Sequence, residues 1–134
     1  MKPEKSNIAN EFVVLGPDKM ATKVPVTPTI YQELEDNFNN FKGHELIASY
    51  DFESDWGSWE MHPEGDETVI LLSGEATFII DDGQQRHTLT LQQPGEYVVV
   101  PKGLWHTAKT DVATRILFIT PGEGTQHKAD DGND

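Results

Sequence analysis

The stretch DETVILLSGEATFIIDDGQQRHTLTLQQPGEYVVVP, residues 66–101, decides the fold. Runs dominated by Val, Ile, Thr, Leu and Phe are cut at short intervals by Ser73-Gly74, Asp82-Gly83 and Pro94-Gly95. Branched and aromatic side chains suit a pleated, half-buried backbone, and the small or constrained residues between them suit reversals. The pattern predicts strands over DETVILL (66–72), EATFII (75–80), RHTLTL (86–91) and EYVVVP (96–101). Asp82-Gly83 predicts a type I′ hairpin, in which both central residues take positive φ. On either side, EFVVLG (11–16), ELIASYDF (45–52) and RILFIT (115–120) read the same way. Many short strands at regular spacing make an all-β sandwich or barrel.

One helix interrupts this pattern. Ile30, Leu34, Phe38 and Phe41 fall on one face at helical spacing, and Thr29 with Gln32 fits a capping box that Gly43 would close at the far end. The stripe reads as a helix covering an open end of the sheet. Residues 1–28 are polar and proline-bearing, and read as an arm that pairs with a second subunit. After Thr120, PGEGTQHKADDGND has no apolar anchor and reads as a flexible acidic tail.

At 134 residues the chain suits one domain. No run approaches the roughly 18 apolar residues of a membrane span, and MKPEKSNIAN lacks the apolar core of a secretory signal, so the expected address is cytoplasmic. The absence of cysteine excludes disulfides, thiolate metal sites and cysteine nucleophiles. Twenty-three acidic against ten basic residues give a formal charge of -13, which repels a phosphate backbone, so nucleic acid is not the expected partner.

Chemistry concentrates in WEMHPEGDE, residues 59–67, where four carboxylates, a histidine and two large apolar side chains surround a Pro-Glu-Gly-Asp bend. On an extended strand Glu60 and His62 point one way, while Trp59 and Met61 point the other. Glu67, beyond the bend, can return to the same spot on the next strand. Any further ligand comes from elsewhere.

These residues resemble the cupins, small jelly-roll β-barrels. Their first motif sets a His, a spacer and a second His before a Glu and a Gly, and Glu60, His62, Glu67 and Gly74 fall on those positions. Gly95, Pro101, Gly103 and His106 match the second motif, with Thr110 where an Asn often stands. The motifs come in the family's order, 20 residues apart, and the likeness covers roughly residues 45–121. It implies a single cupin jelly-roll β-barrel over residues 44–121, with an arm and one N-terminal helix over 1–43 packed on it and the flexible tail over 122–134. Two departures stand out: Glu60 replaces the first His, and Ser54 stands where a leading Gly would be.

In the family these positions hold a divalent metal. Carried over, the candidate ligands are Glu60, His62, Glu67 and His106, two carboxylates and two imidazoles that suit Mn²⁺, Fe²⁺, Ni²⁺ or Zn²⁺. Glu60 is either the fourth ligand or a catalytic base that hydrogen-bonds His62 or substrate. Trp56, Trp59 and Trp105 are candidate pocket walls, Arg115 a candidate anchor for a substrate anion, and His127 a tail residue able to fold over the pocket. Glu64 and Asp66 read as turn residues, and His44 and His87 as surface strand residues.

The implied function is a metal-dependent oxidoreductase or isomerase, of dioxygenase or isomerase type, acting on a small oxygen-rich organic acid, enol or sugar derivative. A non-catalytic small-molecule or metal-binding module is the second reading, since one fold hosts many functions. A metal-free epimerase with His62 and Glu60 as an acid–base pair is the third. An edge-bearing barrel with a polar arm leads us to expect a homodimer.

Overall fold

The computed structural model describes residues 2–130. Its strands are β1 (Glu11–Leu15), β2 (Ala21–Pro25), β3 (Glu45–Phe52), β4 (Ser58–Met61), β5 (Glu67–Ser73), β6 (Ala76–Asp81), β7 (Arg86–Leu91), β8 (Tyr97–Val100), β9 (Trp105–Lys109), β10 (Thr114–Thr120) and β11 (Gln126–Ala129). One α-helix, α1 (Ile30–Asn37), and a 3₁₀ turn (Asn39–Phe41) lie between β2 and β3. A six-stranded sheet in the order β2-β1-β3-β10-β5-β8 faces a five-stranded sheet in the order β11-β4-β9-β6-β7. All pairings are antiparallel. The result is a jelly-roll β-barrel.

Period-two alternation packs it. On β5 Glu67, Val69 and Leu71 face inward and are buried, on β8 Val98 and Val100, and on β6 Ala76, Phe78 and Ile80. Val69, Leu71, Phe78 and Ile116 are fully buried, each contributing about 1.5–3 kcal/mol. A second cluster joins Ile30 and Leu34 of α1 to Phe12 and Val14 of β1, Phe41, and Leu46 and Ala48 of β3, so the helix lies over one end of the roll.

Gly74 is required where β5 turns into β6. Its φ is +86°, and a Cβ there would stand 2.4 Å from the Ala113 carbonyl oxygen. No other residue fits.

Four sequence expectations need correction. The arm pairs within its own chain: β1 lies between β2 and β3, where alternating Phe12 and Val14 find core partners. The tail is ordered through residue 130, with β11 on β4, because backbone ladder bonds hold a strand that has no apolar face; residues 131–134 lie outside the described residues. The hairpin is a four-residue loop between Asp81 and Arg86 in which Asp82 N donates to the Gln85 carbonyl (3.1 Å), so its tip is Gly83-Gln84 and not the expected Asp82-Gly83. Asp82 Oδ1 accepts the amides of Gln84 and Gln85, which fixes the wider turn with positive φ at Gly83 alone. The capping box does not form: Thr29 donates to the side chain of Glu33 instead (2.8 Å), Gln32 pairs with Asp36, and α1 stops at Asn37, before Gly43.

Candidate metal centre

Strand alternation delivers the site. On β4, Trp59 turns to the far face, where Arg86 stacks over its ring, while Glu60 turns inward with His62 just beyond the strand end. Glu60 lies directly across from His106 of β9, and Glu67 opens the inward series of β5. The two loops carrying these residues are tied together: Gly103 N donates to the His62 carbonyl (2.9 Å) and Lys102 N to Asp66 Oδ1 (2.8 Å). Asp66 is thus a turn residue, as its type suggested.

The four expected side chains converge. One donor atom from each of Glu60, His62, Glu67 and His106 lies within 4.8 Å of all the others. His62 Nε2 is 3.3 Å from Glu67 Oε2 and 3.6 Å from Glu60 Oε2, and His106 Nε2 is 3.0 Å from Glu67 Oε1 and 3.9 Å from Glu60 Oε2. Glu67, His62 and His106 are buried, whereas Glu60 keeps 28% of its side chain exposed on the cavity side.

The backs of the rings settle which atoms face inward. Thr125 donates its one hydroxyl proton to the Gly122 carbonyl (2.9 Å), so towards His62 Nδ1, 2.8 Å away, it accepts. His106 Nδ1 donates to the Leu104 carbonyl (3.3 Å). A neutral ring at either position therefore carries its proton on Nδ1 and aims an Nε2 lone pair at carboxylates. Among the described residues His62 Nε2, His106 Nε2 and Glu67 Oε1 are buried without a hydrogen-bond partner. Acceptors facing acceptors need a cation between them. Thr120 donates to Glu67 Oε2 and fixes that carboxylate.

Without a metal, a proton serves instead. Burial, the largest single influence, pulls the His62 imidazole down, but the Glu60 and Glu67 carboxylates outweigh it and the ring is pushed up to about 9. Burial likewise raises Glu67, and His106 and His62 together hold it down at about 2.

A cavity of about 920 Å³ opens above the cluster, with Glu60, His62 and Glu67 in its lining. Of the three tryptophans only Trp56 lines it; Trp59 is buried on the other face of β4, and Trp105 lies beneath Lys128. Arg115 is spent on Asp51 across β10 and β3 through two hydrogen bonds of 2.6 and 3.1 Å. His87 pairs with Asp82, and His44 Nδ1 donates to the Lys42 carbonyl. Thr110 bonds to the Glu75 carbonyl outside the site. His127 does fold over: β11 sets it opposite Glu60, with Nε2 3.4 Å from Glu60 Oε1. Sequence reasoning missed Thr120 and Thr125, which show no spacing that would single them out.

Residues 44–117 match the family profile of the EutQ-like cupin domain. The chain is a cupin. Among solved structures, this cupin is similar to a cupin-2 domain protein from Shewanella frigidimarina NCIMB 400, at 27% identity over 57% of this chain and 70% of that one, with a TM-score of 0.49. It is similar also to a cupin superfamily protein from Desulfitobacterium hafniense DCB-2, at 26% identity over 57% and 65% of the two chains (TM-score 0.47). Peruvianin-I, a cysteine peptidase from Thevetia peruviana latex, aligns at 20% identity over 63% and 56% with a TM-score of 0.53, a likeness of fold alone. No curated protein sequence matches this cupin significantly.

Proposed function

We propose that this cupin is a metal-dependent enzyme acting on a small oxygen-bearing molecule, with His62, Glu67 and His106 holding a divalent transition metal and Glu60 beside it. The observation that carries this reading is the set of buried, partnerless atoms: two Nε2 lone pairs and one carboxylate oxygen aimed at a common point. Two carboxylates and two neutral imidazoles balance a dication, and nitrogen and oxygen donors suit Mn²⁺, Fe²⁺, Ni²⁺ or Zn²⁺. Bound there, the metal would supply Lewis-acid polarisation of a substrate oxygen.

The chain's own groups do the rest. Thr125 and Leu104 hold the ring orientations, and Thr120 holds Glu67. Glu60 is the least buried of the four, and one of its oxygens faces His127. That position suits it to take a proton from a bound ligand and pass it to the His127 imidazole.

The reading stands or falls on metal analysis. Protein purified without chelator and supplemented with each metal in turn is expected to hold about one ion per chain, and His106→Ala to hold none while keeping its circular dichroism spectrum. A stoichiometry near zero with every metal removes the proposal.

We propose further that the protein acts in the cytoplasm as a homodimer. No helix among the described residues is long and apolar enough to cross a membrane. The outer edge of β2 carries no neighbour among the described residues and is open to strand addition. Light scattering at the monomer mass would end the dimer reading.

A further inference from the structure

The cavity wall offers a ligand mostly apolar, aromatic surface. Tyr50 and Phe52 of β3, Phe118 of β10, Phe41, Leu34 and Trp56 contribute to it. The Trp56 ring stands 5.9 Å from Phe52, 5.9 Å from Phe118 and 6.4 Å from His106, so the aromatic wall begins directly beside the cluster.

The charges are one-sided. Glu35, Asp51, Glu60 and Glu67 line the cavity, with the imidazoles of His62 and His127, and neither lysine nor arginine is among its described lining residues. Arg115 lies in a separate shallow depression, paired with Asp51.

These facts sort the ligand classes. Away from the metal position, a carboxylate or phosphate wants a guanidinium or ammonium partner, and the wall has none among its described lining residues; the chain's charge of -13 adds a repelling field. A sugar wants a polar partner for each buried hydroxyl, and much of this wall cannot supply one. A flat ring, in contrast, packs edge-to-face against Trp56, Phe52 and Phe118 while turning a ring oxygen to the cluster. We infer that the ligand is an uncharged aromatic molecule carrying oxygen donors on its ring, a phenolic enol, seated against Trp56 and Phe118 with its oxygens turned to the cluster beside Glu60. This inference rests on the metal reading of the cluster and names the class of molecule it would take.

The test compares probes by calorimetry on the full chain loaded with Mn²⁺ or Zn²⁺. Catechol, uncharged at neutral pH, is expected to bind at least about tenfold more tightly than oxalate or glucose, and Trp56→Leu to weaken catechol about tenfold at unchanged metal content. Phe52→Leu replaces Trp56→Leu if the latter does not fold. Oxalate or glucose binding as tightly as catechol, at one ion per chain, overturns the inference and leaves the metal reading intact. If no metal binds, the metal reading fails alone, and phenol titrated into metal-free protein decides: saturable quenching of tryptophan emission supports the aromatic site, and no saturation overturns it.

Discussion

Thr125 has one hydroxyl proton and spends it on the Gly122 carbonyl, which obliges His62 to donate from Nδ1 and present Nε2 to the cavity. Removing that acceptor frees the ring to turn and lowers its basicity. Thr125→Val is therefore expected to weaken metal binding roughly 10- to 100-fold without unfolding the barrel, read by competition with a chelating dye. The same ring sets a pH profile for metal-free protein. His62 is raised from 6.5 to about 9, so its stabilisation is complete below 6.5 and is lost as pH rises through about 9. Glu67 is lowered from 4.5 to about 2, so its stabilisation is present above 4.5 and is lost as pH falls through about 2. Thermal melts of chelator-treated protein are expected to peak between these limits and decline towards pH 9, whereas metal-loaded protein holds its midpoint on the alkaline side. A flat alkaline limb without metal would contradict the His62–carboxylate contact.

Among the strands, β11 has the least intrinsic reason to exist. Its residues QHKA are all exposed, and it is held by its ladder to β4 and by Lys128 near the Trp59 ring. Ending the chain at Thr125 keeps the partner of His62 but removes the strand. At about 1 kcal/mol per ladder bond, a loss of roughly 2–4 kcal/mol is expected in denaturant titrations, with a red shift of Trp59 emission. Gly74→Ala is expected to cost more than about 1–3 kcal/mol, since a positive φ and a backbone clash coincide there. What the sequence revealed follows from the same physics. Branched, alternating runs were legible: β3 and β7 fall on ELIASYDF and RHTLTL to the residue. β2, β9 and β11 were not, because short strands with polar or functional side chains carry too little alternation to be told from loop. The hairpin and helix cap went astray because Asp82 and Thr29 had competing local partners.

Taken together, the molecule is an acidic shell around an apolar hollow with one polar floor. The floor was legible in advance: Glu60, His62, Glu67 and His106 sit on two separated motifs, and all four meet. The supports of that floor were not legible, because a threonine that fixes a ring is chosen by three-dimensional proximity and not by spacing. Screening follows from the one-sided charge. Raising ionic strength is expected to improve binding of an anionic chelator such as oxalate while leaving catechol nearly unchanged, and equal responses of the two would argue against field repulsion at the cavity. His62 and Thr125 lie 63 positions apart, and Thr125 follows β10 in the chain. A ribosome must therefore carry synthesis past β10 before the imidazole of His62 is locked, and a chain stalled there would hold all four side chains of the cluster with that one ring still free to turn.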